Sequence, residues 1–132
     1  MDAPAVRVKR TENTGLGLFA DRAILKGKFI IEYTGSLIKT TYADTLTTRY
    51  LFDLENGWTI DGSAYDNIAR YINHSCKPNA AASLKNGHIY IYAEKNISPG
   101  TEITMDYGEE YFKEFIKPHG CRCRPCAKVE AV

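Results

Sequence analysis

Turn-forming residues divide this chain into short segments, and that spacing limits the folds it can adopt. The pairs Asn56-Gly57 and Asn86-Gly87 each stand between segments rich in β-branched and aromatic residues. Because Asn and Gly tolerate a positive φ, each pair predicts a β-hairpin. Ser98-Pro99-Gly100 marks a further turn. Many short strands, frequent turns and little helix predict a mainly β fold without β-α-β units.

The positions of these turns define the predicted helices and strands. Asp66–Tyr71 is expected to form one or two helical turns, and residues 36–49 are polar and Thr-rich, which suggests a short helix or a mobile insert. Glu109–Ile116 carries aromatic residues at near-helical spacing. The predicted strands begin near Val6 and continue with Phe29–Tyr33, Tyr50–Leu54, Trp58–Asp61, residues 79–85, Ile89–Tyr92 and Glu102–Tyr107.

Length and charge narrow the functional classes. The 132 residues predict one domain, and 17 Lys and Arg against 16 Asp and Glu give a net charge of +1. This balance gives no global field for a nucleic acid or an anionic membrane, so we expect no direct nucleic-acid site. The sequence contains no apolar run of the roughly 20 residues that a membrane helix needs and no signal-peptide pattern. We therefore expect an intracellular protein without a membrane partner.

Four cysteines suggest a metal site. Cys121, Cys123 and Cys126 lie within six residues, and Cys76 is the other cysteine of the chain. Three close thiolates can face one ion, and tetrahedral Zn²⁺ needs a fourth ligand. Two disulfides or free thiols are the alternatives. A Zn²⁺ held by four thiolates has no open position, so its role would be structural.

The segment Gly15–Ala20 fits G-x-G-x-x-A, the pattern of a dinucleotide-binding turn. That pattern needs a helix of several turns after the glycines, and Lys26-Gly27-Lys28 would end any helix too early. The other interpretation is a glycine turn that lets the backbone approach something closely. We favour the second interpretation, with a different nucleoside cofactor as the neighbour.

Two further blocks carry the main functional signal. Arg70–Asn79 contains Asn-His-Ser-Cys followed by a Pro-Asn turn, and Met105–Gly108 places a tyrosine at the end of a predicted strand. Together with Gly15–Ala20 and Glu32–Gly35, they resemble the ordered motifs of the SET-domain protein lysine methyltransferases. The closing C-x-C-x-x-C resembles a post-SET segment, although its spacing is shorter than the common one, and Ser36 replaces the usual acid of the second motif.

This resemblance covers roughly residues 6–126 and implies both the fold and the domain boundaries. The implied fold is mainly β, of the β-clip or SET-domain type, with several short sheets, a knot-like C-terminal segment and few short helices. Residues 1–116 would form the SET domain, and residues 117–132 would form a cysteine-rich post-SET zinc segment. One structural Zn²⁺ would be bound by Cys76, Cys121, Cys123 and Cys126.

The resemblance also implies residue roles. Tyr107 would direct its hydroxyl at the transferring methyl group, and Tyr33 and Tyr50 would line the lysine channel. Met105 would lie in the substrate channel, and Glu55 would lie at its rim near a basic substrate tail. The residues implied to bind the cosubstrate S-adenosylmethionine are Gly15, Leu16, Gly17, Arg70, Asn73 and His74.

The implied substrate is a lysine in a protein, with a histone H3 tail as the first candidate. Because Met105 replaces the Phe or Tyr common at that position, we expect di- or trimethyl-lysine as product. The alternatives are a methyltransferase for a non-histone protein and a catalytically silent module that binds a peptide or the cofactor. A histone substrate would place the protein on chromatin in a eukaryotic nucleus; otherwise we expect it in the cytoplasm or delivered to a host. A homodimer could supply additional surface, but the sequence does not show one.

Overall fold

Short strands dominate the computed structural model, which describes residues 5–11, 15–46 and 50–106. Within these ranges the two helices are α1 (Thr40–Ala43) and a 3₁₀ helix (Ile68–Tyr71). The strands are β1 (Val6–Arg10), β2 (Leu16–Ala20), β3 (Phe29–Tyr33), β4 (Ser36–Lys39), β5 (Leu51–Asp53), β6 (Trp58–Asp61), β7 (Asn73–His74), β8 (Ala80–Lys85), β9 (His88–Ala93) and β10 (Glu102–Met105). The predicted mainly β fold with few short helices is confirmed, and the implied knot-like C-terminal segment lies outside the described residues.

The larger sheet has the order β1-β2-β10-β8-β9-β3, and β7 pairs with β10 in parallel. The β8–β9 hairpin runs in continuous register from Ala80 opposite Ala93 to Lys85 opposite His88. Its turn has φ values of 52° at Asn86 and 80° at Gly87. Both values are positive, as the Asn-Gly pair predicted, so this hairpin is confirmed.

The smaller sheet has the order β4-β6-β5. Its β5–β6 hairpin is also confirmed, but the positive φ values of its turn fall at Glu55 (65°) and Gly57 (90°). The expectation for residues 36–49 was incomplete, because Ser36–Lys39 form strand β4 ahead of helix α1. This strand is largely exposed and has no alternating apolar pattern, and its partner is the distant strand β6.

The core follows from the two-residue period of the strands. In β9, Ile89 and Ile91 have no exposed surface, whereas the tyrosines between and beyond them are half-buried. Leu18 of β2 and Ile103 of β10 are equally buried, and both belong to the same apolar cluster as Ile89 and Ile91. The core therefore lies against the central strands that also position the site.

The glycine-rich segment leads into a strand. Gly15 adopts a φ of 79°, and the chain then continues as β2, which pairs with β1 and β10. Because no helix follows the glycines, the dinucleotide-binding interpretation is wrong for Gly15–Ala20. In the part of the chain that the structure describes, no helix has the length and apolar character to cross a membrane.

Candidate active site

The pairing of β7 with β10 joins the two main sequence blocks. Asn73 lies opposite Thr104 and His74 opposite Met105 in parallel register. The next residue continues this contact, because the Ser75 backbone N–H donates to the Met105 carbonyl at 3.1 Å. The fold therefore brings the Asn-His-Ser-Cys block to the strand that leads towards Tyr107. Tyr107 itself lies outside the described residues.

Asn73 connects that block to the glycine segment. Its side-chain Nδ2 donates to the Leu16 carbonyl and to Glu102 Oε2, both at 2.9 Å. Gly17 packs at the same place, because an added Cβ there would lie 2.5 Å from Glu102 Oε2 and 3.1 Å from Asn73 Nδ2. A larger residue at position 17 would therefore have to displace these side chains, and the close packing brings together Leu16, Gly17 and Asn73, three of the implied cofactor-binding residues.

His74 lies between a thiol and a carboxylate. Its Nε2 is 3.5 Å from Cys76 Sγ, and its Nδ1 is 3.8 Å from Asp106 Oδ1. Burial lowers the pKa of His74 below the ordinary histidine value, although the Asp106 carboxylate acts in the opposite direction. The side chain is therefore mainly the neutral imidazole at pH 7, able both to donate and to accept a hydrogen bond.

The Asn79 side chain forms two hydrogen bonds with the backbone of β10. Its Nδ2 donates to the Glu102 carbonyl at 2.8 Å, and its Oδ1 accepts from the Thr104 N–H at 2.9 Å. Strands β8 and β10 pair at a single position, Met105 opposite Ala80. The two hydrogen bonds of the Asn79 side chain therefore add to the few backbone bonds that join these strands. Sequence reasoning identified the Pro-Asn turn but not this role.

Tyr33 and Tyr50 are neighbours, as their shared assignment to the lysine channel would require. The Tyr33 hydroxyl donates to the Tyr50 backbone carbonyl at 3.0 Å, and its ring packs at 5.5 Å from that of Phe52. Gly62 lies directly beneath this ring, because an added Cβ would be 2.6 Å from Tyr33 Cζ. The buried Tyr33 is thus fixed at both ends.

Arg70 is enclosed by tyrosines. Its guanidinium carbon lies 4.1 Å from the ring centroid of Tyr50, 4.4 Å from that of Tyr65 and 5.4 Å from that of Tyr71. Burial alone would lower the pKa of Arg70, but Tyr50 first, and then Tyr71 and Tyr65, raise it overall. Buried Nε and Nη1 have no hydrogen-bond partner within the described ranges. Arg70 therefore contacts Tyr50, a predicted channel residue, directly.

Asn67 connects the loops around these tyrosines, a role that no sequence pattern indicated. It is 1% exposed, and its Oδ1 accepts from the Thr34 N–H at 3.0 Å. Its Nδ2 donates to the Gly62 carbonyl, also at 3.0 Å. One buried amide therefore ties the segment after β3 and the segment after β6 to the 3₁₀ helix.

The remaining predicted residues are more scattered. Met105 is buried on β10, whereas Glu55 is exposed at the tip of the β5–β6 hairpin. Cys76 is exposed next to His74. Cys121, Cys123 and Cys126 fall outside the described residues, and the described ones alone contain no group of three His, Cys, Asp or Glu that could bind a metal ion.

Comparison with known proteins identifies the fold to which these blocks belong. The SET domain family model matches residues 15–108. The chain belongs to the SET domain family. All the described site residues named above from Gly15 to Asp106 fall within the matched part of the SET domain.

Several curated relatives align with most of this SET domain. Histone-lysine N-methyltransferase trithorax from Drosophila virilis is 34% identical over 135 residues, which cover 93% of this chain and 4% of the relative. The H3 lysine-4 specific histone-lysine N-methyltransferase from Cryptococcus neoformans is 37% identical, and the alignment covers 77% of this chain and 8% of the relative. The H3 lysine-9 specific SUVH5 from Arabidopsis thaliana is 34% identical, with coverages of 89% and 17%. The chain thus spans a small part of each relative.

Proposed function

We propose that this chain is an S-adenosylmethionine-dependent protein-lysine N-methyltransferase. Membership of the SET domain family and relatives named as histone-lysine N-methyltransferases support this activity. The observation that carries it is the junction at Asn73, whose side chain links the glycine segment through Leu16 to β10 through Glu102. Two sequence blocks with implied roles at the cosubstrate therefore meet within one hydrogen-bond network.

The described residues fit such a cosubstrate. Among the described residues, an added Cβ at Gly15 would meet no atom within 4 Å, which leaves room beside the backbone there. Arg70 has two buried donors without a partner in the described part of the chain, and His74 is a neutral donor and acceptor. When bound, S-adenosylmethionine supplies a methyl group attached to a positively charged sulfur. The lysine nitrogen forms a bond to this methyl carbon as the carbon–sulfur bond breaks.

The protein must present that lysine as a neutral amine. At pH 7, removing a proton from a lysine of pKa about 10.4 costs roughly 4 to 5 kcal/mol. A channel lined by tyrosine rings and Met105 would lower this cost, because burial disfavours the ammonium form. The Tyr33 hydroxyl donates a hydrogen bond to the Tyr50 backbone carbonyl. We therefore assign Tyr33 to positioning Tyr50, and we assign the contact with the reacting atoms to Tyr107.

Transfer of labelled methyl groups to core histones tests this proposal. We expect label on one histone, a loss of about 100-fold or more in Tyr107→Phe because one positioning hydroxyl is removed, and normal transfer in the control Tyr42→Phe. Tyr42 is 58% exposed on α1, so the control removes an equivalent hydroxyl from the surface. Cosubstrate binding by calorimetry without any transfer, onto histones or proteins of a whole lysate, would favour the silent module.

We propose a histone H3 tail as the substrate, with di- or trimethyl-lysine as product. Relatives of similar identity carry names specific for H3 lysine 4 and for H3 lysine 9, which supports the tail rather than one lysine. Met105 is buried and has a flexible side chain without a hydroxyl. Mass spectrometry should show di- or trimethylation at long times, and Met105→Tyr should shift the product towards monomethyl-lysine. Exclusive monomethylation by the unaltered protein would contradict this assignment.

We also propose that residues 1–116 form the SET domain and that residues 117–132 form a zinc segment. Its Zn²⁺ ligands would be Cys76 and the cysteines at 121, 123 and 126, a four-thiolate set that suits structural zinc. The exposed thiol of Cys76 supports this assignment, because it lies at the end of the Asn-His block where a C-terminal segment could reach it. Such zinc would hold that segment beside the lysine channel.

A further inference from the structure

A groove of about 640 Å³ opens beside the turn that follows Cys76. Lysines from three separate segments line it: Lys26, Lys77 and Lys95. Tyr92 contributes an aromatic ring to the lining, and Glu94 contributes a carboxylate. The lysines are 51 and 18 residues apart in the sequence, so the fold, not a basic run, brings them together.

Backbone hydrogen bonds hold the walls of this groove in place. The Gly27 N–H donates to the Ala93 carbonyl at 2.8 Å, and the Ala93 N–H donates back to Lys28 at 2.9 Å. The Glu94 N–H donates to the Asn79 carbonyl at 2.9 Å, which ties the third segment to the other two. These bonds hold together the three segments that carry the lysines.

The charge of the lining is unbalanced. Three lysines against one glutamate give a local charge of +2, compared with +1 for the whole chain. None of Lys26, Lys77 and Lys95 forms an ion pair with another residue in the described ranges. An excess of lysine over glutamate raises the local positive potential and attracts an extended anion.

We propose that this groove, which we call the lysine groove, binds the phosphodiester backbone of duplex DNA, contrary to the expectation of no nucleic-acid site that followed from the net charge of the whole chain. Lysine ammonium groups act as point charges and contact phosphates without reading the base sequence. The choice of DNA over an acidic peptide rests on the proposed function, because a histone substrate is wrapped by DNA. DNA held in the lysine groove would keep the chain close to the tail that it methylates.

Fluorescence anisotropy with a labelled 20-base-pair duplex and the full chain tests the proposal. Three phosphate contacts predict a slope of about −2.7 for log affinity against log salt, or about a 20-fold loss between 50 and 150 mM. Replacing Lys26, Lys77 and Lys95 together by Gln should abolish this binding. The control replaces Arg10, Lys39 and Lys85 by Gln, which removes the same charge from exposed positions outside the groove and should bind normally.

A substitution of opposite sign adds a stricter test. Glu94→Gln should tighten DNA binding and steepen the salt dependence, because it removes the repulsive carboxylate from the groove. Equal affinities of the groove and control variants, or tighter binding of a polyglutamate peptide that DNA fails to displace, would overturn the proposal. Methylation of a free H3 peptide reports on the proposed function alone. A groove variant that methylates the peptide normally but loses activity on nucleosomes would support the DNA site.

Discussion

Asn67→Ala offers a direct measure of how the loops around the tyrosines are held. The Asn67 side chain is almost fully buried and makes one hydrogen bond to the Thr34 N–H and one to the Gly62 carbonyl. Alanine removes both hydrogen bonds, the partly buried one to the Thr34 N–H and the buried one to the Gly62 carbonyl, and leaves these two backbone groups without a side-chain partner. Each such group costs about 1 to 3 kcal/mol. We therefore expect a loss of about 3 kcal/mol in the free energy of unfolding.

Thermal unfolding and urea titration measure this loss. For a domain of this size about 1 kcal/mol corresponds to about 4 °C, so Tm should fall by roughly 12 °C. Asn56→Ala is the matched control, because Asn56 Oδ1 accepts from the Trp58 N–H at an exposed turn. Water can replace that bond, and the control should cost less than about 1 kcal/mol. Equal losses in the two variants would refute the argument.

Asn67→Asp separates the two hydrogen bonds. Aspartate keeps an acceptor for Thr34 but sets a carboxylate against the Gly62 carbonyl. Burial raises the pKa of that carboxyl, so the folded state binds more protons than the unfolded state. The stability of Asn67→Asp should therefore fall as the pH rises from about 4 to 7, relative to the unaltered protein. A pH-independent difference would show that water reaches this position.

Three further predictions concern the site. Gly62→Ala should cost about 2 kcal/mol of stability in urea titration, because its Cβ would lie 2.5 Å from Asn67 Nδ2 and would displace Tyr33. Arg70→Lys should lower stability by about 1 kcal/mol despite the retained charge, since lysine cannot stack in the same way on Tyr50 and Tyr65. Metal analysis should find one zinc per chain and less in Cys76→Ser, and chelation should reduce methyl transfer before circular dichroism shows unfolding. Full turnover by zinc-free protein would contradict that role.

The sequence predicted those parts of the fold that depend on local signals. Both Asn-Gly hairpins formed; at Asn86 and Gly87 the φ values are the ones that this pair favours, whereas in the β5–β6 turn the positive values fall at Glu55 and Gly57. Strand β4 was missed because Ser36–Lys39 is mostly exposed, and its strand conformation depends on pairing with β6 about twenty residues away. Local propensity contains little information about such an edge strand.

The same distinction applies to the site. Asn73 and His74 could be selected from one short block, and the structure places them beside β10. The roles of Asn67 and Asn79 could not be predicted, because their hydrogen-bond partners lie 33 and 25 residues away in the sequence. The tyrosine enclosure of Arg70 likewise depends on how residues 50, 65 and 71 meet in the fold.

Some motif residues also hold the strands together, and this limits which substitutions can test catalysis. Asn73 uses its side-chain amide to donate to Leu16 and Glu102, so its removal would loosen β2 and β10 even without a cosubstrate. Any side chain at position 17 would press on the same two partners. Loss of activity in such variants would not separate binding from folding. Tyr107→Phe deletes one oxygen and changes no backbone requirement, and the unfolding of that variant can be compared directly with Tyr42→Phe. A fall in methyl transfer at unchanged stability would therefore assign the Tyr107 hydroxyl to the reaction itself.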